Sequence, residues 1–128
     1  MGNPKKLAGD AGEAFAAAHL ESHGFQIIAR NFRTRLGEID IIACGPKGHR
    51  GQGDVCYLLF VEVKARKAGS MVSGEEAVDY HKQHRLRAAA EYYLAGHPNK
   101  LQPRFDVMCV ELGPGGCYVL TNWIVDAF

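Results

Sequence analysis

The chain has 128 residues, of which 47% are hydrophobic and 23% are charged. That length fits one ordinary domain, which we expect to span residues 1–128, and that composition excludes wholesale disorder. The 15 Lys and Arg residues against 14 Asp and Glu residues leave a formal net charge of +1. This balance excludes a polycation that coats nucleic acid through its overall charge, so any nucleic-acid contact must depend on local basic patches.

The cysteines and the N-terminus indicate the compartment. Cys44, Cys56, Cys109 and Cys117 form no C-x-x-C pair. No apolar segment typical of a signal peptide follows the first lysines, and no apolar run approaches the roughly 18 residues of a membrane span. We therefore expect a cytoplasmic protein with no membrane contact, whose reduced cysteines serve as small core side chains.

The first half of the chain predicts one helix and three strands. Apolar residues at helical spacing predict an amphipathic helix over about residues 7–23 that ends at Gly24, with a buried stripe comprising Leu7, Ala11, Ala14, Phe15, Ala18 and Leu20. Three segments rich in β-formers follow at residues 25–33, 37–43 and 55–65. A Gly-rich polar loop, residues 44–54, separates the last two and is either a loop that faces a ligand or a tolerated insertion.

The second half predicts a helix followed by two strands. Residues 73–76 fit a capping box and predict one helical turn, and Asp79 is a plausible N-cap for a helix over about residues 80–95. Residues 104–111 and 118–125 predict the last strands. The order α-β-β-β-α-β-β predicts an α/β fold with one sheet and a helix packed on each face. The buried stripe of the second helix is predicted to comprise Leu86, Ala89, Ala90, Tyr93 and Leu94.

Acidic residues and a lysine are concentrated on the second and third strands. A two-residue period places Ile39, Ile41 and Ala43 on one face of the second strand and Asp40 with Glu38 on the other. On the third strand the same period places the charged series Glu62, Lys64 and Arg66 on one face. If the two strands form an antiparallel hairpin in which Ile42 lies opposite Phe60, then Asp40 lies opposite Glu62.

Two carboxylates opposite each other should repel, so this pairing needs an explanation. A divalent cation would supply one, because Mg²⁺ binds one or two carboxylates together with phosphate oxygens and water. Lys64 points to the same side, where it could hold a phosphate or position a water. The pattern indicates metal-assisted phosphodiester cleavage. The alternative is that these charges are only the solvated end of an exposed strand face, and the pattern leaves both open.

At this point the sequence resembles the PD-(D/E)XK nuclease superfamily, with Asp40 as the acidic residue and Glu62 with Lys64 as the E-x-K element. More narrowly, it resembles the uncharacterised bacterial YraN family, whose predicted layout is close to that of Holliday-junction resolvases. The motifs that carry this resemblance are Gly12-Glu13, NFR at 31–33, GEIDIIA at 37–43, FVEVKAR at 60–66, EEAV at 75–78 and RFDV at 104–107. One departure is Ile39, which stands where the superfamily name has proline.

The resemblance implies a restriction-endonuclease-like fold and a set of site residues. Asp40 and Glu62 would bind Mg²⁺ or Mn²⁺, with Glu38 as a further ligand or as the partner of Lys64. Lys64 would position or activate the attacking water. Glu13 would be an outer member of the site. An ordinary alternative for Glu13 is a favourable interaction with the helix dipole.

Three local clusters could contact phosphates. The first contains Arg33 and Arg35 with Arg30, and the second contains Arg66 and Lys67 with Lys64. The third lies near the start of the second helix and contains His81, Lys82, His84, Arg85 and Arg87. Gln83 is a candidate to face the site. The alternative is that a surface helix is basic only for solubility.

We therefore expect a divalent-metal-dependent endonuclease that acts on DNA, with a branched substrate and a homodimer as further expectations. The competing interpretation is a nucleic-acid-binding module that keeps the nuclease fold but cleaves little or not at all. A third is a structural or protein-interaction domain, which predicts neither metal binding nor salt-sensitive DNA affinity.

Overall fold

The computed structural model describes residues 4–46, 56–67 and 80–128, with side chains from residue 10 onward. Besides a short 3₁₀ helix at Pro114–Gly116, the described residues form two α-helices and five strands in the predicted order. These are α1 (Pro4–Ser22), β1 (Gln26–Arg33), β2 (Glu38–Gly45), β3 (Tyr57–Lys67), α2 (Tyr80–Gly96), β4 (Gln102–Leu112) and β5 (Tyr118–Ile124). The helical turn expected at residues 73–76, the Asp79 cap and most of the Gly-rich loop lie outside the described residues.

All five strands join one mixed sheet in the order β1-β2-β3-β4-β5. β2 pairs antiparallel with β1 and with β3, and β5 pairs antiparallel with β4. β3 and β4 are parallel, which requires a crossover connection, and α2 lies in that connection. The α/β class and the α-β-β-β-α-β-β order of a restriction-endonuclease-like core are confirmed.

Each helix covers one face of the sheet. The face under α1 contains Ile41, Ala43, Leu59, Val61, Met108 and Val110, and the face under α2 contains Ile39, Ile42, Leu58 and Phe60. The predicted stripe of α2 is confirmed, with Leu94 only partly buried. α2 therefore packs on the apolar residues of β2 and β3, and its first half reaches the cavity that contains Glu38 and Glu62.

The predicted stripe of α1 is partly wrong. Ala11, Ala14 and Ala18 are exposed, whereas Gly12, Glu13, Ala16, Ala17 and Leu20 are buried, and the side chain of Leu7 lies outside the described part. The helix is rich in alanine on every side, so its pattern marks no single face. The close approach of α1 to β3 determines the buried face instead. A Cβ on Gly12 would lie only 2.7 Å from the Ala65 Cβ, so glycine is needed where the helix meets the strand.

The alternation of β2 is also interrupted. Ile39 packs on the α2 face together with Ile42, whereas Ile41 packs under α1. The prediction that Ile39 shares a face with Ile41 is therefore wrong. The interruption coincides with Asn31 on β1, which has a left-handed backbone with φ of 54° between the Arg30–Ile41 and Phe32–Ile39 pairs. A regular two-residue period cannot anticipate such a local distortion.

A buried ion pair anchors the start of β4. Asp106 is fully buried and accepts hydrogen bonds from Arg104 Nε at 2.9 Å, Trp123 Nε1 at 2.9 Å and the Asp126 amide at 3.1 Å. Because these donors satisfy the carboxylate, the RFDV segment acts in this fold as a structural clamp between β4 and the end of the chain.

The cysteines are free, as expected. Cys109 is buried and Cys44 packs against the α2-side core, but Cys56 and Cys117 are exposed, so the expectation of four core cysteines is wrong for these two. Among the described residues, none of the helices is long and apolar enough to span a membrane.

Candidate active site

The β2–β3 pairing places two acidic residues where the ladder ends. Ile42 pairs with Phe60 and Ile41 with Val61, which confirms the predicted register. Asp40 and Glu62 occupy the next positions along that register. There Asp40 Oδ2 accepts a hydrogen bond from the Val63 amide at 2.8 Å. The carboxyl of Asp40 thus takes the place of a backbone acceptor at the point where the two strands stop pairing.

The Asp40 and Glu62 side chains contact each other directly. Burial, and then the negative charge of Glu62, raise the pKa of Asp40 to about 8, although the Val63 amide opposes the shift. The two side chains are close enough that a side-chain hydrogen bond with Glu62 also contributes to the raised pKa of Asp40. The sheet thus contains two neighbouring carboxyl groups in a buried setting that disfavours a negative charge on Asp40.

Lys64 of β3 lies beside Glu62 of the same strand and forms a charged group with it and with Asp40 of β2. Its Nζ lies 3.2 Å from Glu62 Oε1, and the two side chains are only 12% and 19% exposed. Burial opposes the charge of Lys64, but the negative charges of Glu62 and Asp40 favour it, and its pKa is raised. Lys64 therefore remains an ammonium group beside the two carboxyls.

Glu13 approaches this site from α1. Its side chain is 8% exposed, and among the described residues its Oε1 has no hydrogen-bond partner. Burial raises its pKa; Arg30 opposes this, and nearby carboxylates including Glu62 reinforce it. Buried polar atoms are almost always satisfied, so an orphaned carboxylate oxygen in an acidic site is the feature expected where a cation or water binds.

A small cavity of about 90 Å³, which we call the carboxyl cavity, opens beside these residues on the α2 face. Its described lining comprises Glu38, Glu62, Lys82, Arg85 and Leu86. The structure therefore places Lys82 and Arg85 in the same cavity as Glu62 and Glu38. Gln83 is half-buried on α2 but is not among the described residues that line the cavity.

The other predicted residues lie farther out. Glu38 is at the cavity rim and forms an ion pair with Arg33 at 3.6 Å, so the structure pairs it with Arg33 where the sequence offered Lys64. Arg66 and Lys67 follow Lys64 at the end of β3. Arg87, grouped with Lys82 by sequence, lies instead over the Phe105 ring at 5.2 Å.

A second, larger depression was not predicted. It measures about 610 Å³ and is lined by Arg33, Thr34, Arg35, Leu36 and Tyr92. We call these five residues the Tyr92 groove. The sequence feature that could have indicated this groove is Tyr92, an aromatic residue of α2 that falls outside the predicted buried stripe.

The donor chemistry of the site fits a hard divalent cation. Within the described residues, no three His, Cys, Asp or Glu side chains converge closely enough to form a complete metal site by themselves. Two touching carboxyl groups and the orphaned Glu13 oxygen are nevertheless the oxygen donors that Mg²⁺ and Mn²⁺ prefer, and Mg²⁺ usually keeps several waters.

Comparison with known proteins agrees with the motifs. The model of the uncharacterised protein family UPF0102 matches residues 12–110, from the start of the buried face of α1 to β4. The chain belongs to UPF0102. This is the YraN-like family that the sequence motifs indicated.

UPF0102 relatives match the chain along nearly its whole length. The UPF0102 protein of Caldanaerobacter subterraneus is 40% identical over 126 residues, covering 97% of this chain and 96% of the relative. That of Symbiobacterium thermophilum is 44% identical over 121 residues, covering 91% and 95%. That of Dictyoglomus turgidum is 36% identical over 124 residues, covering 96% and 98%.

Proposed function

We propose that the protein is a divalent-metal-dependent endonuclease that hydrolyses DNA phosphodiester bonds. The observation that carries the proposal is the direct contact between the Asp40 and Glu62 carboxyl groups at the end of the β2–β3 ladder, with the Lys64 ammonium 3.2 Å from Glu62. A pair of repelling acids in a half-buried sheet destabilises the fold, and a cation-dependent activity explains why it is present.

Asp40 and Glu62 would hold Mg²⁺ or Mn²⁺, with Glu13 as an outer carboxylate. The ion, when bound, supplies a Lewis acid that polarises the phosphate and neutralises its charge. Glu38 is a weaker candidate ligand, because it lies at the rim and pairs with Arg33.

Lys64 and the α2 cations act on the phosphate itself. An ammonium held beside two carboxyls is suited to stabilise negative charge that develops on the phosphate, and less suited to remove a proton from water. Lys82 and Arg85 line the same cavity and would bind the phosphates on either side of the cleaved bond.

The test is a cleavage assay with purified protein on single-stranded, duplex and branched DNA, with Mg²⁺, with Mn²⁺ and with EDTA. We expect cleavage that needs the metal and that falls at least about 100-fold in Asp40→Asn and in Glu62→Gln. Both substitutions keep the size of the side chain and remove only its charge.

Glu21→Gln is the matched control, because Glu21 is an exposed acid on α1. It should cleave like the unmodified protein. Cleavage that persists in EDTA, or that survives both Asp40→Asn and Glu62→Gln, would contradict the proposed site.

A second candidate is a nucleic-acid-binding module with little or no catalysis. Two observations favour it: Lys64 already forms an ion pair with Glu62, and the described carboxylates do not form a complete metal site by themselves. This candidate predicts salt-sensitive DNA binding with no cleavage of any of the three substrates in either metal.

A further inference from the structure

The Tyr92 groove lies between the β1–β2 turn and the exposed side of α2. Its volume of about 610 Å³ falls in the range of roughly 300–1,000 Å³ typical of small-ligand sites. Its walls combine two arginines with two exposed hydrophobic residues, Leu36 at 58% and Tyr92 at 62% exposure. Cationic and aromatic groups in one depression match the chemistry of a nucleotide, which has both a phosphate and a flat base.

The turn that forms one wall is rigid. Thr34 Oγ1 accepts hydrogen bonds from the Leu36 amide at 3.0 Å and the Gly37 amide at 3.1 Å, and it donates to the Gly37 carbonyl at 2.9 Å. Gly37 then packs against α2 so closely that a Cβ there would lie 2.3 Å from the Arg85 carbonyl oxygen. The groove is therefore held open before any ligand binds, which lowers the entropic cost of binding.

The opposite wall presents a supported aromatic ring. Tyr92 packs against Phe32 with ring centroids 6.4 Å apart and planes at 43°, and it keeps most of its surface exposed. Phe32 is partly buried in the α2-side core, so the Tyr92 ring is anchored from behind. A supported, exposed ring is a platform on which a base can stack.

The groove is connected to the acidic site. Arg33 in the groove pairs with Glu38 at the rim of the carboxyl cavity, and this exposed pair at 3.6 Å is weak enough to be exchanged for a phosphate contact. Along α2, Lys82 in the cavity and Tyr92 in the groove are ten residues apart, a rise of about 15 Å. A strand lying along α2 can contact both.

We propose that the Tyr92 groove binds an unstacked nucleotide of the DNA strand, with its base on Tyr92 and its phosphate at Arg33 and Arg35. The inference rests on the proposed function only in taking DNA as the ligand. It adds a ligand class, because a nucleotide can enter the groove only from DNA that is single-stranded or locally open.

The first test measures DNA affinity by fluorescence anisotropy in EDTA, so that no cleavage is involved. The probes are a short single-stranded oligonucleotide and the same backbone with abasic residues. Tyr92→Ala should weaken binding of the base-containing strand roughly five- to fiftyfold and leave the abasic strand unchanged to within about twofold. Tyr92→Phe keeps the ring and should restore the affinity.

Tyr80→Ala is the matched control, because Tyr80 is an exposed tyrosine at the opposite end of α2. Melting curves verify that each variant is folded. If Tyr92→Ala weakens both probes equally, or no more than Tyr80→Ala does, base stacking on Tyr92 is overturned. The proposal is also overturned if the unmodified protein binds neither probe, and a protein segment would then be the alternative ligand of the groove.

The second test locates the base directly. A single-stranded oligonucleotide containing 5-iodouracil is photocrosslinked, and the modified peptide is identified by mass spectrometry. We expect the crosslink at Tyr92, whereas crosslinks confined to other elements would overturn the inference. The two proposals fail separately: binding at Tyr92 without cleavage contradicts the proposed nuclease alone, and metal-dependent cleavage that is indifferent to Tyr92→Ala contradicts the groove alone.

Discussion

At the scale of single residues, the Asp40–Glu62 contact has a cost to stability. In the folded protein the two carboxyl groups are held in hydrogen-bonding contact, whereas in the unfolded chain water separates and solvates them. The folded state therefore retains a proton that the unfolded chain releases. If the pair binds the proposed cation, stability and function make opposite demands on it, as is common at functional sites.

The raised pKa of Asp40 predicts a specific pH dependence in the metal-free protein. With a pKa that rises from 3.8 unfolded to about 8 folded, the contribution of Asp40 to stability is complete below pH 3.8 and is lost as the pH rises toward 8. Asp40→Asn should remove this loss, because an amide has no charge and can still accept the Val63 hydrogen bond. In EDTA we expect the variant to melt roughly 3–6 °C above the unmodified protein at about pH 9, with a much smaller difference near pH 4.5.

Thermal denaturation followed by circular dichroism at the two pH values measures this difference. Glu21→Gln is again the control and should show no difference that depends on pH, because Glu21 is exposed. An Asp40→Asn variant that is less stable than the unmodified protein at alkaline pH would contradict the repulsion between the two carboxyls.

The sequence identifies the residues at the centre of the candidate site, but it does not predict the burial and contacts of the residues around them. Asp40, Glu62 and Lys64 could be placed together because hydrophobic alternation on two strands allows few registers, and Ile42 does lie opposite Phe60. The burial of Glu13 could not be predicted, because which side of an alanine-rich helix faces the sheet depends on the surface it meets. The contact of Glu38 with Arg33 likewise depends on how the β1–β2 turn folds back.

At the scale of elements, two glycines determine how closely the parts of the site approach. Gly12 allows α1 to lie against Ala65 at the end of β3, which brings the adjacent Glu13 toward the carboxyl pair. Gly37 allows the β1–β2 turn to lie against the backbone of α2, which forms the Tyr92 groove on one side of that contact and the carboxyl cavity on the other.

Gly37→Ala should therefore separate the turn from α2. A methyl group 2.3 Å from the Arg85 carbonyl oxygen forces a backbone to move, and we expect a loss of about 1–3 kcal/mol in the free energy of unfolding. Denaturant titration measures this loss. DNA affinity should fall as well, because the turn carries Arg33 and Arg35.

Gly96→Ala provides the comparison within the same fold. A Cβ at Gly96, the last residue of α2, meets nothing within 4 Å, so this substitution should be neutral or stabilise by up to about 1 kcal/mol. Equal effects of the two substitutions would mean that the close approach at Gly37 is not what holds the turn in place.

The two helices differ in how far sequence predicts their packing. α2 has large apolar residues on one side, and the predicted Leu86, Ala89, Ala90 and Tyr93 are buried. α1 has alanines on several sides, and the choice among them was wrong. Large apolar side chains determine the buried face of a helix through the surface area that they remove from water. When the side chains are small, the buried face depends on how closely each side of the helix fits the sheet.

At the scale of the whole molecule, a net charge of +1 conceals a separation of charge. Carboxyl groups gather where β2 and β3 part, and cations lie around them on the first half of α2 and on the β1–β2 turn. Attraction to DNA would therefore arise from few local contacts and not from the total charge.

This arrangement predicts a moderate salt dependence of DNA binding. If three to five cations contact phosphates of a single strand, the logarithm of the binding constant should fall with the logarithm of salt concentration with a slope of about −2 to −3.5. Arg35→Gln should reduce the steepness by about 0.7, the value of one phosphate contact. Anisotropy titrations in EDTA at several salt concentrations measure both slopes.

Lys100→Gln is the control for this experiment, because Lys100 is an exposed cation beyond α2. Its slope should equal that of the unmodified protein. A slope near zero would exclude phosphate contacts, and an equal reduction in Arg35→Gln and Lys100→Gln would mean that total charge governs binding and not the basic turn.

The sequence by itself determined the element order, the fold class, the register of β2 against β3 and the row of Asp40, Glu62 and Lys64, because these depend on periodic burial and local turn chemistry along one chain. Only the tertiary structure decided that Glu13 is buried with an oxygen that no described residue pairs, that burial and Glu62 raise the pKa of Asp40, and that Tyr92 faces a basic turn. These features arise where separate elements meet, and the fit between two surfaces is not encoded in the periodicity of either one.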